Sequence, residues 1–374
     1  MKQHSYFIPS KRLVDLPEAL SIKINQSVYE IKRQNKDVIT LSLGEAFFKL
    51  PPLDFNEIDI EKGYHYSDSQ GMPNLREKIS FYYKNEFKTN VDPDDIIISC
   101  GSKPLIYMCM LCVANEGEKI LIQEPGWLSY SEQAKLANLD VKFIPYDIDY
   151  KNISSYFDKK VKILILSNPN NPSGKLYTKD ELVSISQQCF ENNIFLIVDE
   201  AYSDFASKEF FSVWRINKNK ENLIVINSLS KNFGISGWRI GYAIVPKRLK
   251  NSLIKLNQHL ITCAPTLLCS YVSKNFDELL SYTKPQIEEI KNKRESIVNF
   301  IKKLGLKLMS GSSTFYLFLD VSDYSGSTLD LANNLLSKDQ ISVVPGEAYG
   351  ESTENFIRIS IGTESDERIK KALV

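Results

Sequence analysis

Between about residues 95 and 245 the chain repeats one pattern: a short, unbroken apolar run, a turn, then a segment with apolar positions at helical spacing. Residues 96–99, 119–122, 141–144, 161–166, 194–198, 223–226 and 240–245 read as strands. A strand wetted on one face alternates apolar and polar residues. These runs stay apolar, which predicts a sheet covered on both faces. Helices are predicted to open near Ser102 and Pro104, to span 127–137, and to open near Thr178, where Glu181 completes a capping box. Strands alternating with helices imply a mainly parallel sheet with right-handed crossovers, whose ligands bind beyond the carboxyl ends of the strands.

Past residue 275 the pattern changes. Charges interleave with Leu279, Ile287, Ile290, Ile297, Phe300 and Ile301 over 276–304, as on a long amphipathic helix, and short strands follow at 314–319 and 356–361. The reading is an α/β protein: a large domain with helices on both faces of its sheet (46–275), a smaller α+β domain (276–374), and an N-terminal arm (1–45), helix-like near 21–34, that packs on the smaller one. A length of 374 residues suits two domains with a sizeable core. There is no internal repeat and no low-complexity linker.

Composition narrows the class. Hydrophobic residues make up 43% and charged residues 25%, as in soluble globular proteins. Lys+Arg and Asp+Glu both total 46, so nothing in the charge balance calls for a nucleic-acid or acidic-membrane partner. The opening MKQHSYFIPSKRLVDL lacks the apolar core of a signal peptide, and a cytoplasmic location is expected. The cysteines (Cys100, Cys109, Cys112, Cys189, Cys263, Cys269) lack a disulfide-framework spacing and read as reduced, buried thiols. Cys109 and Cys112 form a CxxC on an apolar helix face with no second pair or nearby histidine, so core packing is expected there and no metal. His4, His65 and His259 make no metal-ligand pattern.

The candidate chemistry lies at the strand ends. Lys231 follows the apolar run 223–226 in SLSKNFGISGWRIGY; a lysine there suits an amine kept neutral and nucleophilic, as Schiff-base chemistry needs, while a lone lysine would read as a solvated loop residue. Ser167-Asn168-Pro169-Asn170-Asn171-Pro172-Ser173-Gly174 makes a stiff loop after another run, or a plain turn. Asp199 ends the run 194–198 and is followed by Glu200, Ala201 and Tyr202; a helix cap is the alternative. Arg358 interrupts a strand-like run, or marks an exposed strand position.

Taken together, in this order and with these separations, the four segments resemble the fold-type-I aminotransferases that depend on pyridoxal 5′-phosphate (PLP), nearest the class I/II group of aspartate and aromatic aminotransferases. The resemblance runs from Gly44 to Arg358. It implies that PLP is held on Lys231, that Asp199 keeps its ring nitrogen protonated, and that Tyr202 and Asn171 hydrogen-bond its phenolic oxygen. It implies that Trp127 stacks on the ring, a core tryptophan being the alternative. Gly101, Ser102 and Lys103 at a helix start, with Ser228 and Arg239, would cradle the phosphate. Tyr66 would reach the phosphate of a neighbouring subunit, which implies a homodimer. Arg358, with Gly44 and Asn171, would grip the substrate α-carboxylate. The reaction implied is ping-pong transfer of an amino group from an L-amino acid to a 2-oxo acid. A lysine at 103 also motivates an acidic amino donor, whereas Phe47, Phe48 and Tyr64 near the entrance would suit an apolar one. A β-lyase, a decarboxylase or a non-catalytic PLP-binding protein would share the same lysine and aspartate. No GxGxxG or GxxxxGK[ST] signals a nucleotide site.

Overall fold

The computed structural model describes residues 10–14, 16–56, 58–216 and 220–374. His4 and most of the opening segment read for a leader lie outside them. The central layer is a seven-stranded sheet. Its strands are β1 (Ile96–Ser99), β2 (Lys119–Gln123), β3 (Asp140–Ile144), β4 (Val161–Ser167), β5 (Phe195–Asp199), β6 (Leu223–Ser228) and β7 (Gly241–Ile244). Their order is β1-β7-β6-β5-β4-β2-β3. All pairings are parallel except those of β7, which runs antiparallel to both neighbours. The sheet is therefore mixed, with one reversed strand that the apolar pattern did not predict.

β1, β6 and β7 are buried along their whole length, and β4 and β5 nearly so, which explains why their sequences do not alternate. One apolar cluster packs Leu121, Leu164, Leu196 and Val225 on one face, and a second packs Ile120, Ile163, Ile197 and Ile224 on the other. Neighbouring residues of one strand thus feed opposite cores.

A second, antiparallel sheet holds β8 (Lys307–Leu308), β9 (Tyr316–Asp320), β10 (Val344–Pro345) and β11 (Phe356–Ser360), in the order β10-β11-β9-β8. A short parallel pairing ties residues 39–40 to 341–342. Helices α1 (Leu20–Arg33), α2 (Pro73–Phe87), α3 (Ser102–Val113), α4 (Ser129–Leu136), α5 (Lys179–Glu191), α6 (Leu229–Asn232), α7 (Lys247–Leu260), α8 (Thr266–Lys303) and α9 (Thr328–Lys338) complete the frame used below. The capping box at Thr178 and Glu181 opens α5 as expected.

The long amphipathic helix, expected from 276, starts earlier: α8 opens at Thr266 and is interrupted by non-helical Asn275. Of its expected apolar face, Leu279, Ile287, Ile290, Ile297 and Ile301 are buried and Phe300 is half-buried. The cysteine expectation needs correcting too. Cys109, Cys189 and Cys269 are buried, but Cys100, Cys112 and Cys263 are partly exposed; all six thiols are free. Among the described residues no helix is long and apolar enough to cross a membrane.

Candidate active site

β6 ends at Ser228, whose side chain accepts the Ser230 amide and opens the one-turn helix α6. That turn carries Lys231 back over the edge of the sheet, where its Nζ donates to the Gly44 carbonyl at 2.5 Å. Burial pulls the amine down to about 8; Glu45 opposes the shift, and the nearby Arg358 and Arg239 guanidinium groups reinforce it.

Asp199 ends β5, one strand away, and is 7% exposed. Its Oδ2 accepts the Tyr130 hydroxyl at 2.8 Å and its Oδ1 the Ala201 amide at 3.1 Å. Burial raises the carboxyl, and those two hydrogen bonds and the charge of Lys231 act against it. Among the described residues no cation forms an ion pair with it. The loop after β4 brings Asn171 to 3.4 Å from the Tyr202 hydroxyl, which also lies 2.9 Å from the Tyr316 hydroxyl.

Arg358 arrives from the second sheet, on β11, and is 3% exposed. It is not the exposed strand position that a lone arginine would suggest. Its Nη2 donates to the Ser42 carbonyl at 2.6 Å and its Nη1 to Asn171 Oδ1 at 3.4 Å, with the guanidinium 4.4 Å from the Tyr316 ring centre. Its Nε is buried without a hydrogen-bond partner. A buried guanidinium held by neutral groups alone is favourable only if an anion completes it.

α3 opens at Ser102 behind Gly101, whose φ is +89°. No side chain caps this helix, so its first amides remain free. A Cβ at Gly101 would overlap Arg239 Nη2, so the missing side chain lets the guanidinium lie against the helix start. Ser228 Oγ and Ser230 Oγ stand 2.8 Å apart. Lys103 holds its ammonium 5.0 Å from the centre of the Trp127 ring, and burial, then Arg239, lowers its pKa.

Lys231, Asp199, Tyr202, Asn171, Ser102, Lys103, Trp127, Ser228, Arg239, Gly44 and Arg358 line one cavity of about 400 Å³, and Gly101 adjoins it through Arg239. Tyr66 does not line it and is 85% exposed. Phe47, Phe48 and Tyr64 do not line it either; Phe48 stacks on Phe205 instead. A roomier groove of about 1000 Å³ around Trp214 contains none of these groups. Sequence reasoning missed Tyr130, Tyr316, Ser42 and Glu45, which also reach the cavity. Only the strand that carries Tyr316, and the closeness of Tyr130 to Trp127 and of Glu45 to Gly44, could have pointed to them.

The donor set fits a phosphorylated, protonated ring such as PLP. It offers an uncapped helix start with a guanidinium for a phosphate, a buried carboxylate without a cation, and an amine near neutral pKa between them.

The family described as "Aminotransferase class I and II" matches residues 36–374. The aspartate aminotransferase of Bacillus sp. (strain YM-2) is 32% identical, over 95% of this chain and 94% of that protein. A probable aspartate aminotransferase of Methanocaldococcus jannaschii is 30% identical, over 90% and 92%. The crystal structure of an aromatic aminotransferase from Pyrococcus horikoshii superposes with a TM-score of 0.84 at 25% identity, covering 92% of this chain and 96% of that one.

Proposed function

The chain belongs to the class I and II aminotransferases, PLP-dependent enzymes that pass an amino group between an amino acid and a 2-oxo acid, and on that premise we propose how its own residues do so and for which donor. When bound, PLP supplies the electron sink for the substrate Cα that no side chain offers.

Lys231 anchors the cofactor and moves the Cα proton. Burial pulls the free amine down to about 8 in the cofactor-free chain, which leaves a useful fraction neutral at physiological pH, so Nζ can accept that proton. Asp199, oriented by Tyr130, keeps the ring nitrogen protonated, and the ring in turn supplies the cation that its buried carboxylate lacks. Tyr202 and Asn171 hydrogen-bond the phenolic oxygen, and Trp127 gives the ring an aromatic face. Gly101, Ser102 and Lys103 at the start of α3, with Ser228 and Arg239, hold the phosphate. Arg358 grips the substrate α-carboxylate, assisted by Gly44 and Asn171; Tyr316 packs against the guanidinium and fixes its plane. The cavity lies between the large domain (46–275) and the smaller one (276–374 with the arm 1–45). Non-helical Asn275 inside α8 supports that division. Two such chains form a homodimer in which Tyr66 of one reaches the phosphate in the other, and the enzyme works in the cytoplasm.

The observation that carries this reading is the convergence of Lys231, Asp199 and Arg358, from two sheets, on one cavity. We propose an acidic L-amino acid, aspartate or glutamate, as donor. Lys103 is a cation at the cavity wall whose ammonium lies over the Trp127 ring, and the two relatives described above bear the names aspartate aminotransferase and probable aspartate aminotransferase.

A panel of amino donors added to the PLP form, followed by its absorbance change, is the test. Aspartate or glutamate should react most efficiently and yield the matching 2-oxo acid. Pyruvate with ammonia, or released carbon dioxide, would indicate a lyase or a decarboxylase. Lys103→Ala should raise KM for dicarboxylic donors by about tenfold, the usual scale for one charged contact. An equal loss with alanine or phenylalanine would refute the acidic-donor assignment.

A further inference from the structure

Glu124 follows β2 and is 3% exposed, yet no cation accompanies it among the described residues. Its partners come from far along the sequence, the segment between β10 and β11. Oε1 accepts the Glu351 amide, Oε2 accepts the Ser352 hydroxyl, and both oxygens lie 3.3 Å from the Ser352 amide. Gly350, with φ +146°, brings the turn this close: a Cβ there would overlap Glu124 Oε1. A buried carboxylate is tolerable only when its oxygens are filled, and here one short turn fills both.

Two further bonds show what the grip connects. The Gly126 amide donates to the Tyr349 carbonyl at 2.8 Å, and Asn170 Nδ2 donates to the Pro125 carbonyl at 2.8 Å. The 124–126 loop therefore lies between the turn and the asparagine loop, and it ends at Trp127. On the other side, the Tyr349 ring centre is 5.6 Å from the Arg358 guanidinium.

We propose that Glu124 is a positioning residue: its carboxylate pins the 350–352 turn, and through Tyr349 the Arg358 guanidinium, to the loop that carries Trp127, so that these two parts of the cavity lining keep one spacing. This rests on the assignment of Arg358 to the substrate carboxylate. Glu124 touches neither cofactor nor substrate. Its loss lets the clamp drift relative to the ring face, and a drift of that kind weakens amino-acid binding.

The test uses holoenzyme variants Glu124→Ala, Glu124→Gln and Ser352→Ala, with Arg358→Lys as reference. Glu124→Ala should raise the amino-donor KM about tenfold, change kcat less than about threefold, and leave the PLP dissociation constant unchanged. Glu124→Gln keeps one acceptor oxygen, and Ser352→Ala removes one donor; each should raise KM about threefold. A merely structural role would lower the melting temperature and leave KM alone. Normal KM in both milder variants overturns the proposal even if Glu124→Ala does not fold, and so does a parallel loss of PLP affinity. A normal KM in Arg358→Lys would instead fail the carboxylate assignment, a separate outcome.

Discussion

At Lys231 burial and function pull against each other. An amine in water titrates at 10.5; here burial, reinforced by Arg358 and Arg239, brings it to about 8. The unfolded chain holds this proton up to its higher pKa and the folded chain releases it earlier. The contribution of Lys231 to the stability of the cofactor-free protein should therefore rise with pH between those two values, and below about 8 its full penalty applies. At about 1.4 kcal/mol per unit the penalty is about 3 kcal/mol. Lys231→Met keeps the stem and removes the amine. It should abolish transamination while stabilising the cofactor-free protein by about 1–3 kcal/mol at pH 7, with the gain shrinking toward pH 10. Urea melts at the two pH values measure this, and a loss of stability at pH 7 would contradict it. Asp199 and Glu200 are a contrasting pair of adjacent buried carboxyls. Glu200 is pushed up to about 8 by burial, and its oxygens are filled by the Val213 amide and by the Ser212 and Tyr83 hydroxyls, so it is complete within the fold. Asp199 faces the cavity with two neutral donors and lacks only a cation.

The elements explain why the site assembles where it does. β4, β5 and β6 run parallel, so Ser167, Asp199 and Ser228 all finish on one edge, and the loops that follow carry Asn171, Tyr202 and Lys231 to it. That much was legible, because a strand buried on both faces writes an unbroken apolar run. The direction of β7 was not, since a reversed strand leaves the same run. Its mark was the connection 229–240, which is at the dozen-residue lower limit for a crossover, carries Gly234 and Gly237, and holds only one-turn helices. α2 went unseen because it buries Arg76 beside its apolar residues. The guanidinium is satisfied by the Gly71 and Pro93 carbonyls, so the helical period is blurred. The first turns of α8 are hidden for a related reason: Cys269, Tyr271, Val272 and Ser273 are all buried, and consecutive buried positions show no polar face. Tyr316, Ser42 and Glu45 meet the cavity through tertiary packing from segments without a motif. The start of α3 yields a prediction. Gly101→Ala should push Arg239 off the helix start and weaken PLP binding at least about tenfold, read by absorbance titration. Gly117→Ala is the control, because Gly117 also has positive φ, +78°, with nothing within 4 Å of its Cβ position. It should cost about 1 kcal/mol of stability and leave PLP affinity unchanged.

For the whole molecule, the exposed tyrosines matter most. Tyr64 and Tyr66 are 75% and 85% exposed, and the same surface carries Ile60 and, across the Thr266–His65 hydrogen bond, the end of α7 with exposed Leu260. Exposed aromatic and aliphatic side chains such as these suit a second subunit. The proposed homodimer sets Tyr66 and Lys231 of each site on different chains, which mixing can test. Lys231→Ala chains have no active site of their own but retain Tyr66; Tyr66→Ala chains retain Lys231 and lack the phosphate contact. In a hybrid dimer the Lys231 of the second chain meets the Tyr66 of the first, and one intact site forms. Random exchange makes about half of the dimers hybrids with one of two sites restored, so activity should recover to about a quarter of wild type. That recovery should exceed the sum of the two parents and appear only after subunit exchange. If Tyr66 served its own chain, no intact site could form and mixing would restore nothing. Tyr64→Ala in place of Tyr66→Ala separates the two tyrosines: it should leave its parent dimer active without exchange.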